Sequence, residues 1–391
     1  MIPRRVPPVH SPLTARSIAG AVVAAASSDP VAHLEKLLRD RYGARRVVLL
    51  DSGTSALALA MRATGGPVAV PAYCCFDIAT ACDGAAVTPV LYDLDPFTLA
   101  PNLASLGRAF ERGARSVVVV HLYGIPVPMA EIAALAAAAD AIVIEDAAQA
   151  TGAWIGDRRT GGLGAFGVLS FGRGKGVTGG GGGALLLNDE MAYSMYEAVA
   201  VPLRRGSRLP ARGLVATVAQ WMLSRPSLYA IPSSIPFLRL GDTIYHRPRA
   251  PEAISAFSAA LAARSLDLED EAGAARRRNA AAIAGPGRDT DPDLLIPVGV
   301  SGASPGYLRL PLVATSTAAR ARLESPEARR LGVYPGYPRS LADLGGFRDR
   351  ALVAGDPEGA RLLADRLVTA PVHQQLSPGT LERLRKLLGK V

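Results

Sequence analysis

The chain has 391 residues, 49% hydrophobic and 20% charged, which is ample for a buried core and excludes a disordered polypeptide. Its net charge is +9, almost all of it arginine spread along the chain. No long basic tract or interleaved aromatic pattern points to nucleic acid. The three cysteines (Cys74, Cys75, Cys82) are clustered, odd in number and without a CxxC or paired histidines. That excludes a disulfide framework and a zinc pattern, so no metal is expected and a reducing, cytoplasmic compartment is the default.

Taken in chain order, MIPRRVPPVHSPL has no apolar signal core. HLEKLLRDRYG reads as a polar helix containing Lys36. RVVLL (46–50) is a short apolar strand, followed by an Ala/Leu-rich helix from DSGTSALALAMRA. PVAVP (67–71) is a strand, 75–86 a helix and TPVLY (88–92) a strand. SVVVVHLYG (116–124) is a buried strand ending in a turn, 129–140 a helix and AIVIED (141–146) a strand. GVLSF (167–171) and ALLLN (184–188) close the series. Short apolar runs alternating with helices predict an α/β fold: a mostly parallel sheet sandwiched by helices, with its strands covered on both faces.

The stretch 213–241 is the most apolar later segment. Arg225, Pro226, Pro232 and Pro236 interrupt it, so it does not make a clean membrane-spanning helix. A buried or subunit-facing segment is one reading of it, and peripheral membrane contact the other. Residues 250–282 carry a long helical pattern. Beyond a Gly/Pro/Asp-rich break, a strand is predicted at 306–314 and helices near 316–330, 356–367 and 378–390. The expected division is a large domain over 1–250 and a smaller α+β domain over 251–391 that includes the long linking helix.

Three features carry chemistry. Lys175 alone among the four lysines follows directly on an apolar strand, in LSFGRGKGVTGG. A desolvated lysine can lose its proton and act as a nucleophile, which arginine cannot; a solvated loop lysine is the plain alternative. Ser52-Gly53-Thr54-Ser55 stands between a strand and a helix, where N–H groups and the helix dipole favour an anion, although such residues are also ordinary caps. Asp146 ends the strand AIVIED, at the sheet edge where ligands bind. It could hold a ring nitrogen protonated or cap the next turn.

The order of these features is far more specific than any one of them. SGTSAL (52–57), VHLYG (120–124), IEDAAQATGA (144–153), GGLGAFGVLSFGRGK (161–175), GGGGALLLND (180–189) and RLLADRLVTAPVHQQLSP (361–378) together resemble the DegT/StrS-like sugar aminotransferases, fold type I pyridoxal-phosphate enzymes. The resemblance implies that Lys175 is the Schiff-base lysine and moves protons. It implies Asp146 as the pyridine-nitrogen partner, Gln149 near the ring oxygen, and Gly53, Thr54 and Ser170 at the phosphate. In PAYCCFD a stacking aromatic is expected, Phe76 or else Tyr73. His121, Tyr123 and Arg309 are substrate-site candidates; His121 could equally be a structural hydrogen-bonder at a strand end, and Arg309 a surface strand residue. The implied activity moves an amino group, by a ping-pong mechanism, from an amino acid such as glutamate to a keto sugar, nucleotide-linked in the family. Another pyridoxal-phosphate reaction, on a lipid or amino-acid precursor, and a non-catalytic regulatory role are the alternatives. A homodimer with shared active sites is implied. Members with histidine in place of the lysine act as sugar dehydratases. The chain departs from the family at Gly176, where many members have Asn or Thr, at Gly181, near a common Glu, and over 206–248.

Overall fold

In the computed structural model, residues 5–204, 206–225, 228–230, 244–285 and 291–389 are described. The main sheet contains β1 (Arg46–Leu50), β2 (Val68–Pro71), β3 (Pro89–Tyr92), β4 (Ser116–Val120), β5 (Ile142–Asp146), β6 (Phe166–Ser170), β7 (Gly183–Leu187) and β8 (Leu352–Val353). Their spatial order is β1-β7-β6-β5-β4-β2-β3-β8. Only β7 runs against its neighbours; every other pairing is parallel.

The helices are α1 (Ala15–Ser27), α2 (Pro30–Tyr42), α3 (Gly53–Thr64), α4 (Asp77–Ala85), α5 (Leu103–Glu111), α6 (Met129–Ala138), α7 (Glu190–Val199), α8 (Ala211–Leu223), α9 (Ala256–Leu266) and α10 (Glu269–Ala284). The continuous apolar run of β1 shows why both sheet faces are covered. Val48 and Leu50 pack into the core formed with α3 and α4, while Val47 and Leu49 pack with Leu34 and Leu38 of α2 and Ala259 and Ala262 of α9. Successive side chains on a strand point to opposite faces, and each such burial contributes roughly 1.5–3 kcal/mol.

A second, antiparallel sheet is built from Leu294–Leu295, Leu310–Ala314, Leu367–Ala370 and Tyr334–Pro335. It shares a core with Ala280 and Ile283 of α10 and with Leu384 and Leu388 of the helix Pro378–Leu388.

The expected elements need three corrections. The long helix over 250–282 is broken at Asp267–Leu268, which turns the Glu269 carboxylate toward Arg41, Arg159 and the Gly152 N–H. The helix near 316–330 is two pieces, Thr317–Leu323 and Pro326–Arg330. Pro326 cannot continue the first, and Ser325 caps the second. The strand over 306–314 shortens to Leu310–Ala314, with Tyr307 at φ 41° before it. The chain also crosses between the sheets more than once. After residue 250, α9 still packs on the large sheet, and β8 returns to pair with β3.

Candidate active site

Because β1, β5 and β6 are parallel and β7 is antiparallel between β1 and β6, the carboxyl ends of β1, β5 and β6 meet the start of β7 at one edge. Ser52 begins the turn after β1. Its hydroxyl accepts from the Ser55 N–H at 3.1 Å and so caps α3. The first-turn N–H groups of Gly53 and Thr54 lack intrahelical partners, as at any helix start, and bear the positive end of its dipole. Ser170, the last residue of β6, lies directly against this turn. A Cβ placed on Gly53 would stand 2.9 Å from the Ser170 Cβ and 3.2 Å from its Oγ. Only glycine lets the helix start and the strand end close into a cradle of N–H and hydroxyl groups.

Asp146 ends β5 and is buried. One carboxylate oxygen accepts from the Ala148 N–H at 2.9 Å. Burial raises its pKa above the ordinary carboxylate value; the Ala148 bond and the charge of Lys175 oppose that rise without cancelling it. The Lys175 charge also acts on the Cys75 thiol, which burial pushes up to about 12. Lys175 is half-buried in the loop after β6, between the left-handed Gly174 (φ 76°) and Gly176. Its main-chain oxygen accepts from the Ser11 hydroxyl at 2.9 Å. The Gly176 departure has a packing cause: a Cβ there would sit 3.1 Å from the Thr151 Cβ and 3.4 Å from an Arg276 Nη. At Gly181 a Cβ would meet nothing within 4 Å, so packing does not demand glycine there.

Gln149 bridges the two sheets. Its Oε1 accepts from the Tyr123 N–H at 3.0 Å, and its Nε2 donates to the Tyr337 hydroxyl at 2.8 Å. An amide nitrogen has two hydrogens, so one donor remains for a ligand. Tyr73 is wholly buried. Its hydroxyl accepts from the Tyr337 N–H at 2.9 Å, and its ring meets the Tyr337 ring edge-on at 5.5 Å. Tyr73 is therefore occupied in joining the two sheets, whereas Phe76 stands at the start of α4 with no polar duty.

The three substrate-site candidates separate. His121 is completely buried. Its Nδ1 accepts from the Val127 N–H at 3.3 Å, which leaves Nε2 to donate to the Glu145 carboxylate at 2.8 Å. With both nitrogens engaged inside the protein it has none to offer an acceptor, and its place is structural. Tyr123 is buried, has φ 54°, and stacks on Tyr337 at 5.9 Å. Arg309 is no surface strand residue. One Nη donates to the Thr369 carbonyl at 3.2 Å, the guanidinium lies 5.9 Å from the Tyr334 ring centre, and Nε is buried with no partner among the described residues. Burial lowers its pKa, against the opposing influence of Tyr123, Tyr229, Tyr334 and Tyr337.

Sequence reasoning missed Tyr337, Ser11 and α8. Tyr337 and Ser11 reach the site from sequence distances of 188 and 164 residues, so no local pattern signals them. Helix α8 belongs to the apolar segment 213–241; of its remainder, 226–227 and 231–241 lie outside the described residues. Thr217 of α8 fills the space beside Gly180, which accounts for glycine in that part of the loop.

Comparison with known proteins agrees with this geometry. Residues 22–208 match the model of the DegT/DnrJ/EryC1/StrS aminotransferase family. Over that stretch the chain is similar to members of this family. An L-glutamine:2-deoxy-scyllo-inosose aminotransferase of Micromonospora echinospora is 32% identical over 237 residues, covering 60% of this chain and 51% of that protein. A GDP-perosamine synthase of Caulobacter vibrioides is 35% identical over 164 residues, 41% and 44% of the two chains. The chain thus spans about half the length of these relatives. Among solved structures, a DegT DnrJ EryC1 StrS aminotransferase from Brucella abortus superimposes with a TM-score of 0.71 at 20% identity, covering 95% of this chain and 94% of that one. A GDP-4-keto-6-deoxymannose-3-dehydratase does so at 0.76 and 17%, covering 98% and 99%. At those identities the superpositions show a shared fold.

The residues present fit pyridoxal phosphate, the family's cofactor. The Gly53–Thr54–Ser170 cradle suits its phosphate, the buried Asp146 carboxyl a cationic ring nitrogen, and Lys175 its aldehyde.

Proposed function

We propose that the chain is a pyridoxal-phosphate aminotransferase that moves an amino group from an amino acid, glutamate or glutamine, to a keto sugar. The supporting observation is that the charge of Lys175 acts on the buried Asp146 at the sheet edge that also carries the Gly53–Ser170 cradle. When bound, pyridoxal phosphate supplies an aldehyde for an amine and a ring that takes up the electron pair left when a C–H bond breaks.

The protein's own groups do the rest. Gly53 and Thr54 N–H groups and the Ser170 hydroxyl bind the phosphate, with Gln149 near the ring oxygen. Phe76 covers one ring face and excludes water. Asp146 keeps the proton on the ring nitrogen, a duty that suits a carboxylate with few competing donors. The Lys175 amine would hold the cofactor through its aldehyde and, once freed, would be the group placed to take up and return a proton as general base and acid. Arg309, with its unpaired Nε among tyrosines, is the group on the small-sheet side suited to a substrate carboxylate or phosphate. Lys175, where family members that act as dehydratases have histidine, favours transamination in this reading. Two copies sharing their active sites is the assembly this reading expects, and a nucleotide-linked keto sugar is the expected acceptor.

Half-reaction spectroscopy is the test. Glutamate or glutamine added to the cofactor-loaded protein should bleach the absorbance of the lysine-bound cofactor and yield its amino form; a keto-sugar nucleotide should restore it. If neither donor changes the spectrum while the lysine-bound absorbance is present, transamination is ruled out in favour of another pyridoxal-phosphate reaction.

A further inference from the structure

Arginine is spread along the sequence, but the excess of positive charge is not. Two stretches, 1–28 and 198–241, contain nine arginines, no lysine and no acidic residue. The rest of the chain then holds 34 basic and 34 acidic side chains, so the whole net charge of +9 resides in these two stretches. Their described parts meet in the fold. Leu214, Val218 and Trp221 on the inner side of α8 pack against the cluster of Leu13, Ile18, Ala21 and Ala25 with Phe257 and Leu261 of α9. Arg208 fastens the approach to α8 onto α1 by donating to the carbonyls of Ala25 and Ser28 at 3.1 and 3.3 Å.

The outward side of this pair is apolar and cationic. On α8, Arg212, Val215 and Met222 follow one another at spacings of three and seven, which places them on one face, and Arg225 follows the helix. Val215 is 68% exposed and Met222 46%, with Leu209 just before the helix at 41%. On α1, Arg16 and Val23 share a face by the same spacing, and Val23 is 65% exposed. Arg225 stacks over the Trp221 ring at 4.6 Å, at the edge of that inner side. Among the described residues, Arg204 reaches a carboxylate, Glu252 at 3.5 Å, but neither Arg16 nor Arg212 has one.

We infer that the α1–α8 face docks on a bilayer surface rich in anionic phospholipid. Exposed aliphatic side chains flanked by arginines, with no acidic residue on α1 or α8 themselves, are the composition of an interfacial element; Asp29 and Asp267 line a hollow beyond Ala24 at the end of α1. No helix among the described residues is long and apolar enough to cross a membrane, so the contact lies on the surface. A second copy of the chain suits this face poorly. A two-fold interface sets a patch against itself, and here that opposes the arginines of α1 and α8 to one another, with no acidic residue on either helix. The face also adjoins the catalytic loop: Thr217 of α8 lies on Gly180, and Gln220 donates to Ser11 at 3.5 Å, which in turn holds the Lys175 carbonyl. Docking would hold lipid about one helix diameter, ~10 Å, from that loop.

The test is flotation of the full-length, cofactor-loaded protein with vesicles of phosphatidylcholine alone and with phosphatidylglycerol added, over a salt series. The wild type should float only with the anionic vesicles and less as salt rises. The pair Arg212→Glu and Arg225→Glu should lower partitioning on the order of a hundredfold, with the lysine-bound cofactor absorbance and the light-scattering mass unchanged. Protein that stays in the aqueous layer with every vesicle, or floats equally with neutral ones, overturns the inference. So does a change of light-scattering mass on charge reversal, which would make the face a contact between copies. The wild-type vesicle and salt series decides the matter even if the variant fails to fold.

Discussion

Glu145 and Asp146 are neighbours at the end of one strand, both buried, yet they point to opposite sides of the sheet and titrate in opposite directions. Burial drives both upward. For Glu145 it is outweighed by bonds from His121 and from the N–H groups of Gly161, Leu163 and Gly164, and the pKa falls. Asp146 has one N–H, from Ala148, and its pKa rises. A saturated carboxylate is a structural anchor: it pins the turn at 161–164 beneath β6. A carboxylate left short of donors is an open position for a cation, and in the function proposed above that cation is a protonated ring nitrogen. The difference between structure and function here is one of hydrogen-bond supply.

Four substitutions sharpen or break this contrast. Lys175→Ala should have the largest effect, lowering turnover roughly 10⁴-fold with little change in melting temperature, read by steady-state rates and calorimetry. Retained turnover would remove the lysine from the chemistry. Glu145→Ala should come next and act on stability. It leaves His121 and three N–H groups unpaired, for a loss of about 3–5 kcal/mol in denaturant unfolding, while activity per folded molecule persists. If Glu145→Ala destroyed activity in folded protein, the anchor reading would fail.

Asp146→Asn should reverse that pattern. Turnover falls on the order of a hundredfold, whereas the cofactor-free protein keeps or gains stability at neutral pH. The sign follows from linkage. A carboxyl raised in the folded state holds its proton where the unfolded chain has released it. Cofactor-free stability is therefore higher at acid pH and declines as pH rises through the raised value, and the asparagine variant should lose that slope. Melting curves across the carboxylate range read it; a slope of the other sign would contradict the Asp146 assignment. Gly53→Ala should be the mildest. Its Cβ crowds Ser170 at 2.9 Å, so cofactor affinity drops about tenfold by equilibrium dialysis, with the fold kept.

The sheet was legible because its strands are short apolar runs separated by helical periods, and a parallel strand buried on both faces leaves that mark. The turn at 52–54, Asp146 and Lys175 could be read because each follows directly on such a run. The helix breaks at 267–268 and 325 were not: they depend on where Glu269 finds Arg41 and Arg159, and on a Ser-Pro pair inside an otherwise periodic stretch. His121 looked like a site residue because its strand-end position is visible in sequence while its partner Glu145 is not. Tyr337 and Ser11 enter the site by tertiary contact alone. The acid-free character of 1–28 and 198–241 was present in the sequence, but its meaning depended on seeing α1 and α8 side by side.

Borohydride reduction of the cofactor-loaded protein, followed by peptide mapping of the four lysines, tests the central claim most directly. The account predicts a stable cofactor adduct on Lys175 alone. Adducts on Lys36, Lys386 or Lys390 with Lys175 unmodified, or no adduct at all, would contradict it.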